Sequence, residues 1–221
     1  MKKSQLAGEI GVLERRLYAH QPLSDFLLAT NQLGDLLDDQ ALFVRSSEYA
    51  KSYREAWILG RFAQGLLAQN CRLIADDFPD AEVCLPNIVM RVEIVELDDP
   101  VRRRGDEYKS AALGTKSSDT RAIRRLSENW QDWFVGKVRS KIQKYETSAH
   151  GVDLLISNNL GFYRQLDELP QLSRMLANQI NILTFRKIWH FRPDAIHEMW
   201  PDFKRHPITG WENEMLGTGA Q

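Results

Sequence analysis

The sequence predicts an α/β fold, and three observations point to it. Apolar residues recur at three- and four-residue intervals from Tyr53 to Leu67 and from Ile123 to Tyr145, the period of helices that bury one face. Three runs, IVMRVEIVEL (88–97), VDLLIS (152–157) and ILTFRKIWHF (182–191), are rich in β-branched and large apolar residues and read as buried strands. The longest helical pattern falls between the first two of these runs, where a crossover between strands is required.

The elements follow in order. Leu6, Ile10, Leu13 and Leu17 space a first helix, and LSDFLLATNQLGDLL repeats that spacing less cleanly, so residues 1–45 form a helical extension. A helix from about Ser46 to Asn70 has Ser47 as its N-cap. Ala81 to Leu85 is a short strand that Pro86-Asn87 turns back into 88–97. Asp98-Asp99-Pro100 breaks that strand, and 101–118 is a loop or short helix. Asp119 caps a long helix running to about Thr147, and His150-Gly151 ends it before 152–157. A helix over 166–180 and the strand 182–191 complete a core spanning 46–192. The prolines at 193, 201 and 207 make 193–221 an irregular C-terminal extension.

Composition narrows the function classes. Hydrophobic residues at 43% and charged residues at 27% of 221 suit a globular protein with a sizeable core. No run of about 18 apolar residues exists, so no membrane span is expected. The start, MKKSQLAGEIGVLERRL, lacks a continuous apolar stretch, so the expected location is the cytoplasm. Cys71 and Cys84 are the only cysteines and are expected as buried free thiols. The chain has no phosphate-binding glycine motif and no Gly-x-Ser-x-Gly elbow. His190, His197 and His206 have no cysteine nearby to complete a zinc site.

Charge is unevenly spread. Residues 101–150 hold 12 Lys and Arg against 6 Asp and Glu, a balance of +6 in a chain whose net charge is −1. Such a segment meets a polyanion or forms a solvated helix face. Beside it lies an acidic strand. Arg91, Glu93 and Val95 share one face of the run 88–97, while Met90, Val92, Ile94 and Glu96 share the other. Glu93 either pairs with Arg91 on an exposed surface or joins Asp80, just before the neighbouring strand, to hold a hard cation such as Mg²⁺. Glu96 reaches the same side only if the strand bends or bulges at its end. On the long helix, Lys141 lies on the apolar stripe with Phe134, Val138 and Tyr145, flanked by Lys137 and Lys144. It either snorkels to water or extends its ammonium over the sheet.

Pro79-Asp80, the strand MRVEIVE with Glu93, the helix KIQKYE and the strand VDLLIS together resemble the PD-(D/E)XK nuclease superfamily across residues 48–160. The resemblance implies a restriction-endonuclease-like mixed central sheet flanked by helices. It implies a Mg²⁺ (or Mn²⁺) cofactor held by Asp80 and Glu93, with Glu96 as a further ligand and Glu55 as an added acid from the first core helix. Where the superfamily places a strand lysine, this chain has Val95. Some members carry that lysine on the following helix, which nominates Lys141 or Lys144. A Gln-x-x-x-Tyr motif found in other members is not met by Gln143 and Tyr145, which are two apart. The implied partner is nucleic acid, DNA first, with Arg102, Arg103, Arg104, Lys109, Arg121 and Arg125 as phosphate contacts. The implied reaction is phosphodiester hydrolysis by a metal-activated water. The alternative is an inactive nuclease-fold protein that binds nucleic acid or a protein partner. Residues 1–40 could also support a homodimer, although their short apolar repeat favours packing on the core.

Overall fold

A strand buried on both faces needs a cover on each side, and the central strands of this protein have two covers. The computed structural model describes residues 3–37, 48–97, 120–158, 168–179, 184–192 and 194–208. Among them are five α-helices: α1 (Lys3–Tyr18), α2 (Leu23–Leu37), α3 (Glu48–Gly65), α4 (Thr120–Tyr145) and α5 (Leu169–Gln179). The strands are β1 (Gln21–Pro22), β2 (Asn70–Leu73), β3 (Ala81–Leu85), β4 (Ile88–Leu97), β5 (Val152–Asn158), β6 (Lys187–Arg192), β7 (Ala195–Trp200) and β8 (Lys204–Pro207). They form one mixed sheet whose strands lie side by side in chain order. β1 to β4 are antiparallel, β4, β5 and β6 are parallel, and β6 to β8 are antiparallel again. The two parallel steps are those that α4 and α5 cross.

Side-chain alternation along β4 sorts the core into two layers. Met90, Val92 and Ile94 join α1, α2 and α3, with Phe26, Leu59 and Phe62. Val95 and Leu97 face α4 and α5, with Phe134, Val138 and Leu172. Leu154, Leu155 and Ile156 of β5 are buried on both sides, as a central parallel strand requires. The helical extension is packed into the first layer, closely enough that a Cβ on Gly34 would meet the Tyr53 ring at 2.8 Å and one on Gly60 would meet Leu27 at 2.8 Å.

Several expectations need correction. β2 occupies the end of the segment assigned to the α3 helix, which stops at Gly65. Leu67, at φ 55°, turns the chain out of the helix. The segment after 193 is not irregular throughout, because β7 and β8 add a hairpin to the sheet. Pro201 follows β7 and Pro207 ends β8, so neither interrupts a ladder from within. The β6 strand begins at Lys187 rather than at 182. Cys71 is buried, but Cys84 is only half-buried. The predicted cap at Asp119 lies outside the described residues. No helix among the described residues is long and apolar enough to cross a membrane.

Two polar groups are locked into this core. Asp153 on β5 is fully buried and accepts from Arg186 Nε at 2.7 Å, Arg186 Nη2 at 2.9 Å and Trp189 Nε1 at 2.8 Å. His190 on β6 lies between Trp130 and Phe134, with ring centroids 6.1 and 5.6 Å away, and faces His197 of β7 at 5.9 Å. Neither His190 nitrogen has a hydrogen-bond partner. Burial, then the His197 and Arg192 charges, holds the His190 imidazole down at about 3. Burial, then Arg192 and Arg205, holds His197 at about 4, against the pull of Asp194.

A histidine with a depressed folded-state pKa adds stability above its unfolded pKa and loses it as pH falls. His190 and His197 should therefore weaken the fold progressively from about pH 6.5 downward. Relative to His190→Phe, the wild type should lose about 2–3 kcal/mol between pH 7 and about pH 4.5. Urea midpoints of both proteins at the two pH values measure the difference. A gap that does not change with pH would show that His190 is not held neutral.

Candidate functional site

The β3–β4 hairpin brings two carboxylates together. The ladder pairs Ala81 with Val92, so Asp80, one residue before β3, comes alongside Glu93 and Ile94. Asp80 Oδ2 accepts the Ile94 N–H at 2.7 Å, and its carbonyl accepts the Ile74 N–H at 2.8 Å. Both ends of the Asp80 residue are thus tied to backbone. Glu93 points to the α4 side and is 2% exposed. Its Oε1 accepts from Lys141 Nζ at 2.7 Å and from the Tyr145 hydroxyl at 2.7 Å. Lys141 and Tyr145 are one helical turn apart on α4, so a single face of the helix supplies both donors. Glu93 Oε2 is buried with no hydrogen-bond partner. Phe78 stacks on the Tyr145 ring, centroid to centroid at 4.0 Å, and covers the site from the segment that leads into β3.

The electrostatics follow from this crowding. Burial pushes the Asp80 carboxyl up to about 7, and the neighbouring Glu93 charge adds to it. The Ile94 N–H opposes the shift, and Glu55 reinforces it. Interaction with the Glu93 side chain further favours the protonated form of Asp80. The Tyr145 hydroxyl is held above its ordinary value by burial and by the same Glu93 carboxylate, and it stays a donor. A buried carboxylate oxygen without a donor lies next to a second carboxyl whose protonated form is favoured by burial, and both are oxygen ligands of the kind a hard divalent cation takes. Mg²⁺ characteristically takes one or two protein carboxylates and completes its shell with water. Asp80 and Glu93 Oε2 fit that pattern. Among the described residues, no group of three or more His, Cys, Asp or Glu side chains is placed to hold a metal ion.

The remaining candidates divide. Glu55 of α3 reaches the neighbourhood, since its charge acts on Asp80, and Lys51 sits 3.5 Å from it. Burial raises the Glu55 carboxyl, and Lys51 opposes the rise. Glu96 is not brought to the site. β4 pairs without a bulge up to Leu97, so Glu96 faces α3, where Arg54 Nε binds it at 3.1 Å. Arg91 is exposed, and Glu93 is held by α4 rather than by Arg91. Lys144 is exposed and donates to the Tyr145 hydroxyl at 2.9 Å, not to Glu93. Val95, where a strand lysine was sought, is buried in the core under α4, which has no room for an ammonium group. Arg102, Arg103, Arg104 and Lys109 lie outside the described residues. Arg121 and Arg125 fall on the first turns of α4, and their side chains are likewise outside what is described.

Tyr145 and Phe78 are the site residues that sequence reasoning passed over. Tyr145 had a signal. Lys141-x-x-x-Tyr145 has the four-residue spacing sought from Gln143, with Lys in place of Gln. Phe78 had none beyond its place two residues before Asp80.

No protein-family model matches the chain, and neither a curated protein nor a solved structure matches it.

The Lys141–Glu93 pair sets the stability of the site. Removing one partner of a buried ion pair costs about 3–5 kcal/mol, and the low end applies here because Tyr145 still donates. Lys141→Met should therefore lower the urea midpoint in chelator. An unchanged midpoint in chelator would mean that the pair does not form.

Proposed function

We propose that this protein is a metal-dependent nuclease with a restriction-endonuclease-like core, hydrolysing phosphodiester bonds of nucleic acid, DNA first. One observation carries the proposal: the β3–β4 register brings the Asp80 and Glu93 carboxyls together, with Lys141 fixed on Glu93. The order α3, β2, β3, β4, α4, β5, with an antiparallel meander and then a parallel strand, supports the same fold, as does the position of Pro79-Asp80 before β3.

Asp80 and Glu93 would hold Mg²⁺ or Mn²⁺. When bound, such an ion lowers the pKa of a water and polarises a phosphoryl oxygen. The chain's own residues have separate tasks. Lys141 and Tyr145 occupy Glu93 Oε1 and so fix the carboxylate while leaving Oε2 without a partner. Burial and the Glu93 charge hold the Asp80 proton, and positive charge placed beside it would favour its loss. Lys141, 20% exposed, adds a positive charge that favours an approaching phosphate. Lys144, exposed on the rim, is placed to meet the backbone on either side of the scissile bond. Arg102, Arg103, Arg104 and Lys109 are proposed to extend that contact.

The catalytically silent alternative keeps one supporting observation. Val95 replaces the strand lysine, and Lys141 is already spent on Glu93. Cleavage of single- and double-stranded DNA and RNA with Mg²⁺ or Mn²⁺ separates the two. Wild type should cut only with metal, and Glu93→Gln should lose at least about a hundredfold, the scale of losing a group that positions charge in the transition state. Equal cutting by both proteins would remove Glu93 from the chemistry. Salt-sensitive binding without cutting would establish the silent alternative.

A further inference from the structure

Alternation along β4 puts Val89 and Arg91 on the same face as Glu93. Glu93 is buried there because Lys141 and Tyr145 of α4 lie over it. The two residues toward the β3–β4 turn are uncovered: Arg91 is exposed, and Val89 is 58% exposed. The floor of the candidate site therefore continues onto an open strip of sheet. The ladder sets Glu82 of β3 opposite Arg91, and a cross-strand acid is the ordinary partner for such a side chain. Glu82 is taken from its other side. Arg72 of β2 holds Glu82 Oε2 through Nε at 2.7 Å and through Nη2 at 2.6 Å. Among the described residues, Arg91 is left without an ion pair.

Charge gives the strip a direction. Ala81 pairs with Val92, so the segment before β3 runs past Glu93, away from the β3–β4 turn. That segment carries Asp76 and Asp77, both exposed. Arg91 stands on the other side of Glu93, and the exposed Lys144 lies on the last turn of α4. A polyanion is thus repelled on one side of the site and attracted on the other. Residues two apart on a strand are separated by about 6.8 Å along it, close to the spacing of successive phosphates in a nucleic acid backbone. With one phosphate at Glu93, its neighbour falls over Arg91, whose planar fork binds phosphate through two donors.

We infer that Arg91 binds the phosphate next to the reacting one, and that the nucleic acid strand leaves the site along β4 toward the β3–β4 turn. The inference rests on the proposed nuclease activity for what reacts at Asp80 and Glu93. Arg91 holds substrate and takes no part in the bond that breaks.

Salt dependence tests it in the full chain. Binding of short single-stranded and duplex DNA is measured from about 50 to 200 mM salt, with Ca²⁺ in place of Mg²⁺. Arg91→Gln should weaken binding about tenfold and reduce the slope of log K against log salt by about 0.7–0.9, the release of one phosphate's counterion. Arg91→Lys keeps the charge and should keep most of the slope. Arg174→Gln removes an exposed charge from α5 and should change nothing. In Mg²⁺, Arg91→Gln should raise KM and leave kcat within about twofold, because a flanking contact is made alike in the ground and transition states. A slope in Arg91→Gln equal to that of the wild type would overturn the inference and, if the wild type cuts, leave the nuclease proposal standing. If the wild type binds without cutting, the nuclease proposal fails and the slope still decides for Arg91. Equal losses of slope in all three variants would overturn the inference, as would a wild type that binds neither DNA.

Discussion

A carboxylate 2% exposed in the middle of a central strand is the constraint on which this structure turns. Glu93 cannot be carried in the core without a partner, because an isolated buried charge costs several kcal/mol. The chain meets that cost from an element more than forty residues away, through Lys141 and Tyr145 on one face of α4. α4 is thereby pinned over β4 in one rotation about its own axis. Its apolar residues Phe134 and Val138 are then set against β4 and β5, and the second core layer follows from that setting. Asp80 is the other consequence. It is placed by the hairpin register and held by the Ile94 N–H, and the burial and charge that raise it come from where Glu93 must sit.

The sheet separates two acid–base pairs that look alike in the sequence. Glu93 and Glu96 are three apart on a regular strand, so they emerge on opposite faces. Each face has a helix to compensate its acid: Lys141 of α4 for Glu93 and Arg54 of α3 for Glu96. The two pairs differ in what remains. Glu93 keeps one buried oxygen without a donor and a second carboxyl beside it. Glu96 is partly exposed and is open to solvent beside Arg54. A structural ion pair and a candidate site therefore share one strand, and only the three-dimensional surroundings tell them apart.

Much of this was legible in the amino-acid order, and the failures have physical causes. The long runs 88–97 and 152–157 and the helix ending at Tyr145 were clear because each repeats a period many times. Asp80, Glu93 and Lys141 could be named because strand alternation and a lysine on an apolar stripe are local signals. Short elements were missed: β1 has two residues and β2 four, too few to show alternation. The β7–β8 hairpin was hidden by prolines, of which Pro201 lies in its turn and Pro207 ends its second strand. Glu96 was misplaced because a bulge was invoked to bring it round, and the ladder to β5 runs without one. Tyr145 was overlooked because its motif partner was sought as glutamine, and lysine fills that place.

The Lys141 ammonium also limits what the site can hold. It binds Glu93 Oε1 at 2.7 Å together with the Tyr145 hydroxyl, so that oxygen has both of its in-plane lone pairs engaged. Only Oε2 remains on Glu93 for a cation. Asp80 likewise gives one oxygen to the Ile94 N–H. The two carboxyls therefore keep few oxygen lone pairs for a further positive charge, and burial favours the protonated form of Asp80. Lys141 sits on the other Glu93 oxygen, Oε1. Under the proposed reading a cation would take Oε2 and leave the lysine on Oε1, so the ion pair stabilises the fold without occupying the oxygen that remains.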